Sequence, residues 1–378
     1  MAALSAGGLL RVRTGHHKGC VNVLTQVTPR NKKLAKIRRM KPIATKTIVY
    51  ESYWEFAAER MAMYYRRLSS PEGPWTCNPV LRSYRFTNVF RASDRVSQYL
   101  IGEIQYGVGR SQDLPEVFFR TILFKIFNRI DTWKYLEARL GPISWKGVRL
   151  SAINEVLSEV IEDGRRIYSA AYIMPSPNFG EVRKHSNHLA LLARMMDDGL
   201  PAKIQKASSL RSVYELLLGY PGLGPFLAFQ YAIDLNYSSI IDFDESEYVV
   251  AGPGALDGIS KCFRGTTASP QEIISEMVSR QDEEFRARGL EFNGLFGRPL
   301  MPIDCQNIFC EISKYARAVH PEMTGATGRT KIKQKYRDIG AQQMPMPYFP
   351  PKWKLVVEPP RSHSIEWDIP RFELSPNG

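Results

Sequence analysis

A mostly α-helical fold is predicted by three observations. From Glu51 to Leu68, apolar residues recur in three- and four-residue steps at Trp54, Ala57/Ala58, Met61, Tyr64/Tyr65 and Leu68, which lays one apolar stripe along a helix. Proline stands at the first turn of two further helices, in Leu114-Pro115-Glu116 and Ser269-Pro270-Gln271, where its missing N–H removes no hydrogen bond. No alternation of apolar and polar residues is long enough to argue for a large sheet, and no internal repeat is present.

Taken in order, the chain opens on an expected flexible arm, residues 1–47. Residues 1–50 hold eleven Lys/Arg and no Asp or Glu, whereas the remaining 328 carry 40 basic against 38 acidic side chains. Most of the net charge of +13 therefore belongs to the arm, and a basic face on the body has to come from folding. Three uses fit an acid-free, Arg-rich start: phosphate contact or nuclear import, a targeting presequence, and an inert tail. The first helix, 51–68, stops at Ser69-Ser70-Pro71-Glu72-Gly73-Pro74. Further helices are expected at 93–107, 115–128, 131–140, 149–164, 187–198, 209–218, 225–235, 270–288 and 303–318, giving a helical body over 48–320 in two lobes. The end, 321–378, is expected to run extended. Eight prolines fall within 345–378, and Tyr348, Phe349, Trp353 and Trp367 can dock it on the body.

Composition excludes several classes. The chain of 378 residues is 44% apolar and 24% charged, an ordinary globular balance. No apolar run reaches the roughly 18 residues that cross a bilayer, so no membrane span is expected. The five cysteines (Cys20, Cys77, Cys262, Cys305, Cys310) contain no C-x-x-C pair and do not cluster with histidines, as in a reduced intracellular protein. His185 and His188 lack a third ligand, so neither a metal nor any other cofactor is expected.

The densest local signal is Gly219-Tyr220-Pro221-Gly222-Leu223-Gly224, between the helices at 209–218 and 225–235. Gly222 and Gly224 permit a tight turn with outward N–H groups, Leu223 packs the two helices together, and the second helix adds its positive end. With Tyr220 alongside, this reads as a helix-hairpin-helix turn that holds one DNA phosphate, with an ordinary helical hairpin as the plain alternative. Asp244 follows 20 residues after Gly224. That layout resembles helix-hairpin-helix DNA glycosylases, in which a catalytic aspartate caps the helix after the hairpin. The resemblance would make Asp244 catalytic, and a simple cap is the alternative. Bifunctional members carry a lysine nucleophile where this chain has Phe226, so lyase chemistry through a Schiff base is not implied.

A second dense stretch comes earlier. Arg85, Arg91 and Arg95 interleave with Phe86 and Phe90, a mix suited to phosphate contact beside base stacking, or equally to a helix start in which Asp94 pairs its arginines. Trp75-Thr76 with Pro79, Phe86-x-Asn88-Val89-x-Arg91, Asp94-Arg95, Gly252-Pro253-Gly254, Lys261-Cys262-Phe263 and Gln306-Asn307-x-Phe309-Cys310-Glu311-x-x-Lys314-Tyr315 occur in that order. Together they resemble the helical domain associated with 5-hydroxymethyluracil DNA kinases and the related α-glutamyl/putrescinyl-thymine pyrophosphorylases, from about Ile48 to Ala318. Position 78 departs from the pattern, being Asn where the resemblance leads us to expect Asp.

The resemblance implies a glycosylase-like helical fold that acts in thymine hypermodification, where an amine or amino acid displaces pyrophosphate from the 5-methylene carbon of an activated base. No G-x-x-x-x-G-K-[ST] occurs, so the kinase step itself is not expected here. The base must flip out of the stack. Trp75 and Phe86 are candidates to stack on it, and Asn88 to contact the DNA. Arg91, Arg95 and Lys261 are candidates for the leaving-group cations, and Asp244 and Glu311 for the general base. The plain alternatives are a structural aromatic for Trp75, a buried small hydrophobe for Cys310, and an ion pair for Glu311 with Lys314. Three functions follow: a base-modifying transferase, a monofunctional glycosylase, and a DNA-binding module that recruits a separate kinase or oxygenase. The expected location is intracellular: the nucleus of a eukaryote, or the host cytoplasm for a viral or bacterial chain.

Overall fold

Two helices hydrophobic on nearly every side decide where the core lies. α4 (Leu114–Phe127) is buried at every position from Glu116 to Phe127, and α10 (Pro225–Tyr237) from Leu227 to Tyr237. Such helices belong inside a fold rather than on its surface. The two pack on one another and gather α7 (Lys184–Asp197), α8 (Leu200–Gln205) and α9 (Leu210–Leu218) around them, with α5 (Ile130–Leu140) and α6 (Leu150–Glu162) outside. A second group forms around α13 (Pro302–Val319), against which α1 (Ile48–Ser69), α2 (Pro79–Ser83), α11 (Pro253–Cys262) and α12 (Pro270–Ala287) pack. The computed structural model describes residues 45–172, 174–337 and 340–358, and among these the fold is mostly α, as predicted: thirteen α-helices and one two-stranded antiparallel sheet. That sheet pairs β1 (Thr45–Lys46) with β2 (Phe263–Arg264). The basic arm expected over 1–47 lies outside the described residues, apart from 45–47.

Local sequence explains the helix boundaries. The Thr47 hydroxyl accepts the Val49 N–H at 3.1 Å and donates to the Lys261 carbonyl at 2.6 Å, which starts α1 and ties it to α11. Ser269 and Glu272 close a reciprocal capping box at the start of α12, where Pro270 marks the first turn. The helix expected over 93–107 is instead composite: a 3-10 turn at Arg91–Ser93, then α3 (Arg95–Tyr99), then a wide π-helical stretch, Leu100–Gln105. Its apolar spacing suits either winding, so periodicity alone does not separate them. α11 was not expected at all. It has ten residues, and Pro253, between Gly252 and Gly254, is its first-turn proline.

The crossing of α11 and α13 depends on Gly258. A Cβ there would run into the backbone carbonyl of Phe309. Neither backbone can swing aside, so Gly258→Ala is expected to destabilise by about 1–3 kcal/mol or more. A melting curve reads this directly, and a variant melting with the parent would mean that the crossing relaxes freely.

The proline-rich end is docked over its described part. Phe349 is buried between Phe296 and Trp353, at ring distances of 5.9 and 6.1 Å. Trp353 meets the edge of Tyr237 at 5.5 Å and carries the Arg298 guanidinium at 3.9 Å. Lys352 donates to the Ser238 carbonyl at 2.9 Å and also to that of Ile241. The fourth tail aromatic, Trp367, lies outside the described residues.

Candidate active site

Arg91 is the hub between the two helix groups. Its backbone N–H donates to Asp304 Oδ1 of α13 at 3.0 Å, while its guanidinium reaches α10. There it donates to both Asp234 oxygens, at 2.6 and 2.9 Å, and to Gln230 Oε1 at 2.8 Å. Lys125 of α4 meets Asp234 from another side at 3.0 Å. Arg91 is only 3% exposed and Asp234 0%. Burial alone would raise the Asp234 carboxyl, but Arg91 and Lys125 together hold it below its usual range. Burial lowers Lys125 in spite of Asp234.

This anchoring presents the loop 86–95 over α13. Asn88 is fully engaged: its N–H donates to Asp94 Oδ1 at 2.8 Å, its Nδ2 to the Ser93 carbonyl at 2.8 Å, and its Oδ1 accepts from Arg60 at 3.0 Å. Arg60 also holds the Thr87 carbonyl at 3.0 Å, and Asn307 holds that of Asn88 at 2.8 Å. The Thr87 N–H donates to Glu311 Oε2 at 3.1 Å, and Glu311 pairs with Lys314 at 2.6 Å. Asp94 and Glu311 thus face one region from the loop and the helix, with Arg60 behind them. Burial pushes the Asp94 carboxyl up to about 7, against the pull of the Asn88 N–H and with the push of the Glu311 charge.

Asn307, Cys310 and Lys314 are half-buried at positions i, i+3 and i+7 of α13, one stripe open to this region. Gly254 lies against Cys310, where a Cβ would strike the sulfur. Gly252 lies against Phe226, 2.6 Å from where its Cβ would stand. Phe226 stacks parallel to Tyr172 at 5.8 Å, and Tyr172 feels the charges of Arg91, Asp94 and Asp234. Burial pushes the Cys310 thiol up to about 12, so it stays protonated and is a poor nucleophile.

The structure redistributes several expected roles. Arg91 and Lys261 are closed off from any departing pyrophosphate: Lys261 is 1% exposed and donates to the Ser313 carbonyl at 3.0 Å beside Asp257. Both are instead internal counter-charges, because a buried cation persists only when paired. Arg95 is exposed at the start of α3. Asp244 is exposed too, and its carboxylate accepts the Ser246 N–H at 2.8 Å. The residues after it form a turn, so it caps no helix. Trp75 is held by the end of α1, its indole N–H on the Ser70 carbonyl at 2.9 Å and Arg67 over its ring at 5.1 Å. Phe86 packs edge-on against Phe56 at 5.4 Å, with Lys314 over its face at 5.2 Å.

At the α9–α10 turn, Gly222 has φ +83° and Leu223 is buried. Gly224 is exposed, with nothing near its Cβ position, and the Tyr220 hydroxyl is turned to Asp198 at 3.2 Å. Asn78 caps α2 through Oδ1 and donates its Nδ2 to the Tyr315 hydroxyl at 2.7 Å, a bond that an ionised Asp would have to reverse. His188 is fixed between Tyr168 at 2.7 Å and the Pro175 carbonyl at 2.8 Å, and His185 bonds to Ser158 at 3.0 Å. No cluster of three metal-ligating side chains occurs among the described residues.

Asp234, Gln230, Lys125 and Arg60 were missed by sequence reasoning. Gln230 and Asp234 stand four apart in the apolar run Phe226–Leu235, and Lys125 interrupts Ile122–Phe127. A polar stripe in a helix apolar all round is a usable sign of a buried network.

A family model described as "5-hmdU DNA kinase, helical domain" matches residues 47–325. A curated relative, the 5-hmdU DNA kinase of Bacillus phage SP10, is 23% identical over 301 residues, covering 74% of this chain and 46% of that protein. The chain thus spans about half the length of that relative. No solved structure matches the chain.

Proposed function

This chain belongs to the family of 5-hmdU DNA kinase helical domains, and we propose on that premise that it modifies 5-hydroxymethyluracil in DNA by displacing an activating pyrophosphate with an amine or amino acid. The reading is carried by Asp94, a carboxyl raised to about 7 beside a second carboxylate, in a loop that arginines hold rigid. A general base poised near neutral pH is what removing a proton from an incoming amine requires. The amine nitrogen bonds to the 5-methylene carbon, the carbon–oxygen bond to pyrophosphate breaks with its electron pair leaving on oxygen, and the amine proton passes to Asp94.

Arg95 and Lys314 meet the departing charge, with Lys314 released from Glu311 as it does so. The Tyr172–Phe226 pair walls the flipped base. The exposed Gly224 and the left-handed Gly222 offer N–H groups at the start of α10 to a DNA phosphate.

The test uses DNA containing 5-hydroxymethyluracil or its pyrophosphorylated form, incubated with candidate amines and then digested and weighed as nucleosides. A nucleoside with the mass of the 5-hydroxymethyluracil nucleoside plus the amine less one water is the expected result, and alkali-sensitive abasic sites would replace this reading with excision. A second reading is favoured by the name of the relative and the 46% of it that is covered. In it the chain recognises the base for a separate 5-hydroxymethyluracil DNA kinase or an oxygenase, and binding with neither product would establish that reading.

A further inference from the structure

The body outside the arm is nearly neutral, yet one segment of it is strongly basic. Residues 323–337 contain Arg329, Lys331, Lys333, Lys335 and Arg337 and no acidic residue. The cations fall on every second position, which in extended backbone puts them on one face about 6.7 Å apart. All five are exposed, and none makes an ion pair with a described residue. Like charges that close lie within the screening length of about 8 Å and repel one another. A solvated surface relieves such repulsion with interspersed acids, which this segment lacks.

The backbone, by contrast, is fastened along its length. Asp257 accepts the Thr327 N–H at 2.7 Å and its hydroxyl at 2.8 Å. Arg317 donates to the Lys331 carbonyl at 3.3 Å. Lys335 forms an antiparallel bridge with Tyr84, with Arg85 N–H on the Gln334 carbonyl at 3.0 Å and Tyr336 N–H on that of Ser83 at 2.9 Å. These anchors hold the segment beside the site described above: Arg317 follows Lys314 by one turn of α13, and Arg85 directly precedes Phe86. Arg82 and Arg85 add two more exposed cations at the bridged end. Its five cations, from Arg329 to Arg337, also lie beyond residue 325, where the family match stops.

We propose that residues 329–337 are a phosphate-gripping strap that binds the DNA backbone along the rim of the candidate active site. It deepens the DNA-modification reading and rests on that reading only for the choice of DNA as the polyanion. A fixed backbone with a row of free, same-sign side chains suits a partner whose charges repeat along a strand, since each cation meets a phosphate without distorting the fold.

The experiment measures binding of the full chain to ordinary thymine-containing duplex DNA against salt concentration. Replacing all five side chains by Ala is expected to flatten the slope of log K against log salt by up to about 4.5, roughly 0.9 for each phosphate that is no longer neutralised. Replacing the three lysines by Arg is expected to leave the slope unchanged, and because all five side chains are exposed, both variants should melt with the parent. An unchanged slope and affinity in the Ala variant would overturn the proposal, as would loss of binding in the Arg variant. No base chemistry enters this measurement, so the transferase reading can fail in the mass assay while the strap stands, and the strap can fail while transfer proceeds.

Discussion

Asp94→Asn is expected to lower transfer by roughly 10²–10⁴-fold, the range supplied by a positioned general base, while leaving the protein folded. The substitution is nearly isosteric, and the Asn oxygen still accepts the Asn88 N–H, so the loop keeps its shape. In the parent, transfer should rise with pH through about 7 as Asp94 loses its proton. Glu311→Gln removes the like charge that helps to raise Asp94, so the midpoint of that limb should move to lower pH. Asp244→Asn is expected to transfer at the parental rate, because its exposed carboxylate serves only the Ser246 N–H. Retained transfer in Asp94→Asn, or a pH–rate profile flat through 7, would remove Asp94 from the reaction.

The same residue makes a prediction about stability with its own sign. Its folded pKa of about 7 lies above the ordinary 3.8, so between these values the folded protein holds a proton that the unfolded chain has released. Stability from this group is present in full below about pH 4 and is lost as pH rises through 7. Asp94→Asn abolishes that loss, so its stability relative to the parent should grow from pH 4 to 7 and then level off. Asp304, also raised to about 7 by burial and by the Glu245 charge, keeps its own contribution in both proteins. Paired melts over this range therefore isolate Asp94. A constant difference would show that its carboxyl is not raised.

How much of this was legible in the sequence depends on whether the deciding contact is local. Three helices were readable: α1, α4 and α12 fall close to their expected spans because period and capping are written in consecutive residues. The motifs from Phe86 to Arg95 and from Gln306 to Tyr315 were readable as chemistry, and the fold brings them together through Thr87 and Glu311, which are 224 positions apart. Their roles were not readable. Whether Arg91 meets a substrate or a buried carboxylate depends on Asp234, which is 143 positions away and lies in a helix whose polar stripe marks a buried network without saying which cation joins it. Asp244 and Asp94 look alike in sequence, and only burial, set by α13 and by Arg60, separates a solvated turn carboxylate from one poised near neutrality. The basic strap escaped for the opposite reason. Its alternating charges are plain in the sequence, but net charge averaged over the body hides them.

Removing the counter-charge at the hub should be the most damaging change to the fold. Asp234→Ala leaves Arg91 and Lys125 buried together with no anion between them, where breaking one buried pair already costs about 3–5 kcal/mol. Lys125 can shed its proton, since burial has already lowered its pKa, but a guanidinium cannot. The unrelieved charge is therefore that of Arg91, and the melting temperature should fall by roughly 10 °C. Adding Lys125→Met to Asp234→Ala should recover part of this loss, because it removes the buried amine that must otherwise give up its proton and stay beside the Arg91 charge. The two changes are thus expected to be non-additive, as contacting groups in one network are. Strict additivity would mean that Lys125 does not share the carboxylate. The damage should also reach the reaction. Arg91 fixes the loop three residues before Asp94, so transfer by the folded fraction of Asp234→Ala should fall as well, even at temperatures well below its melt. A variant with normal transfer per folded molecule would separate the hub from the base it is built to hold.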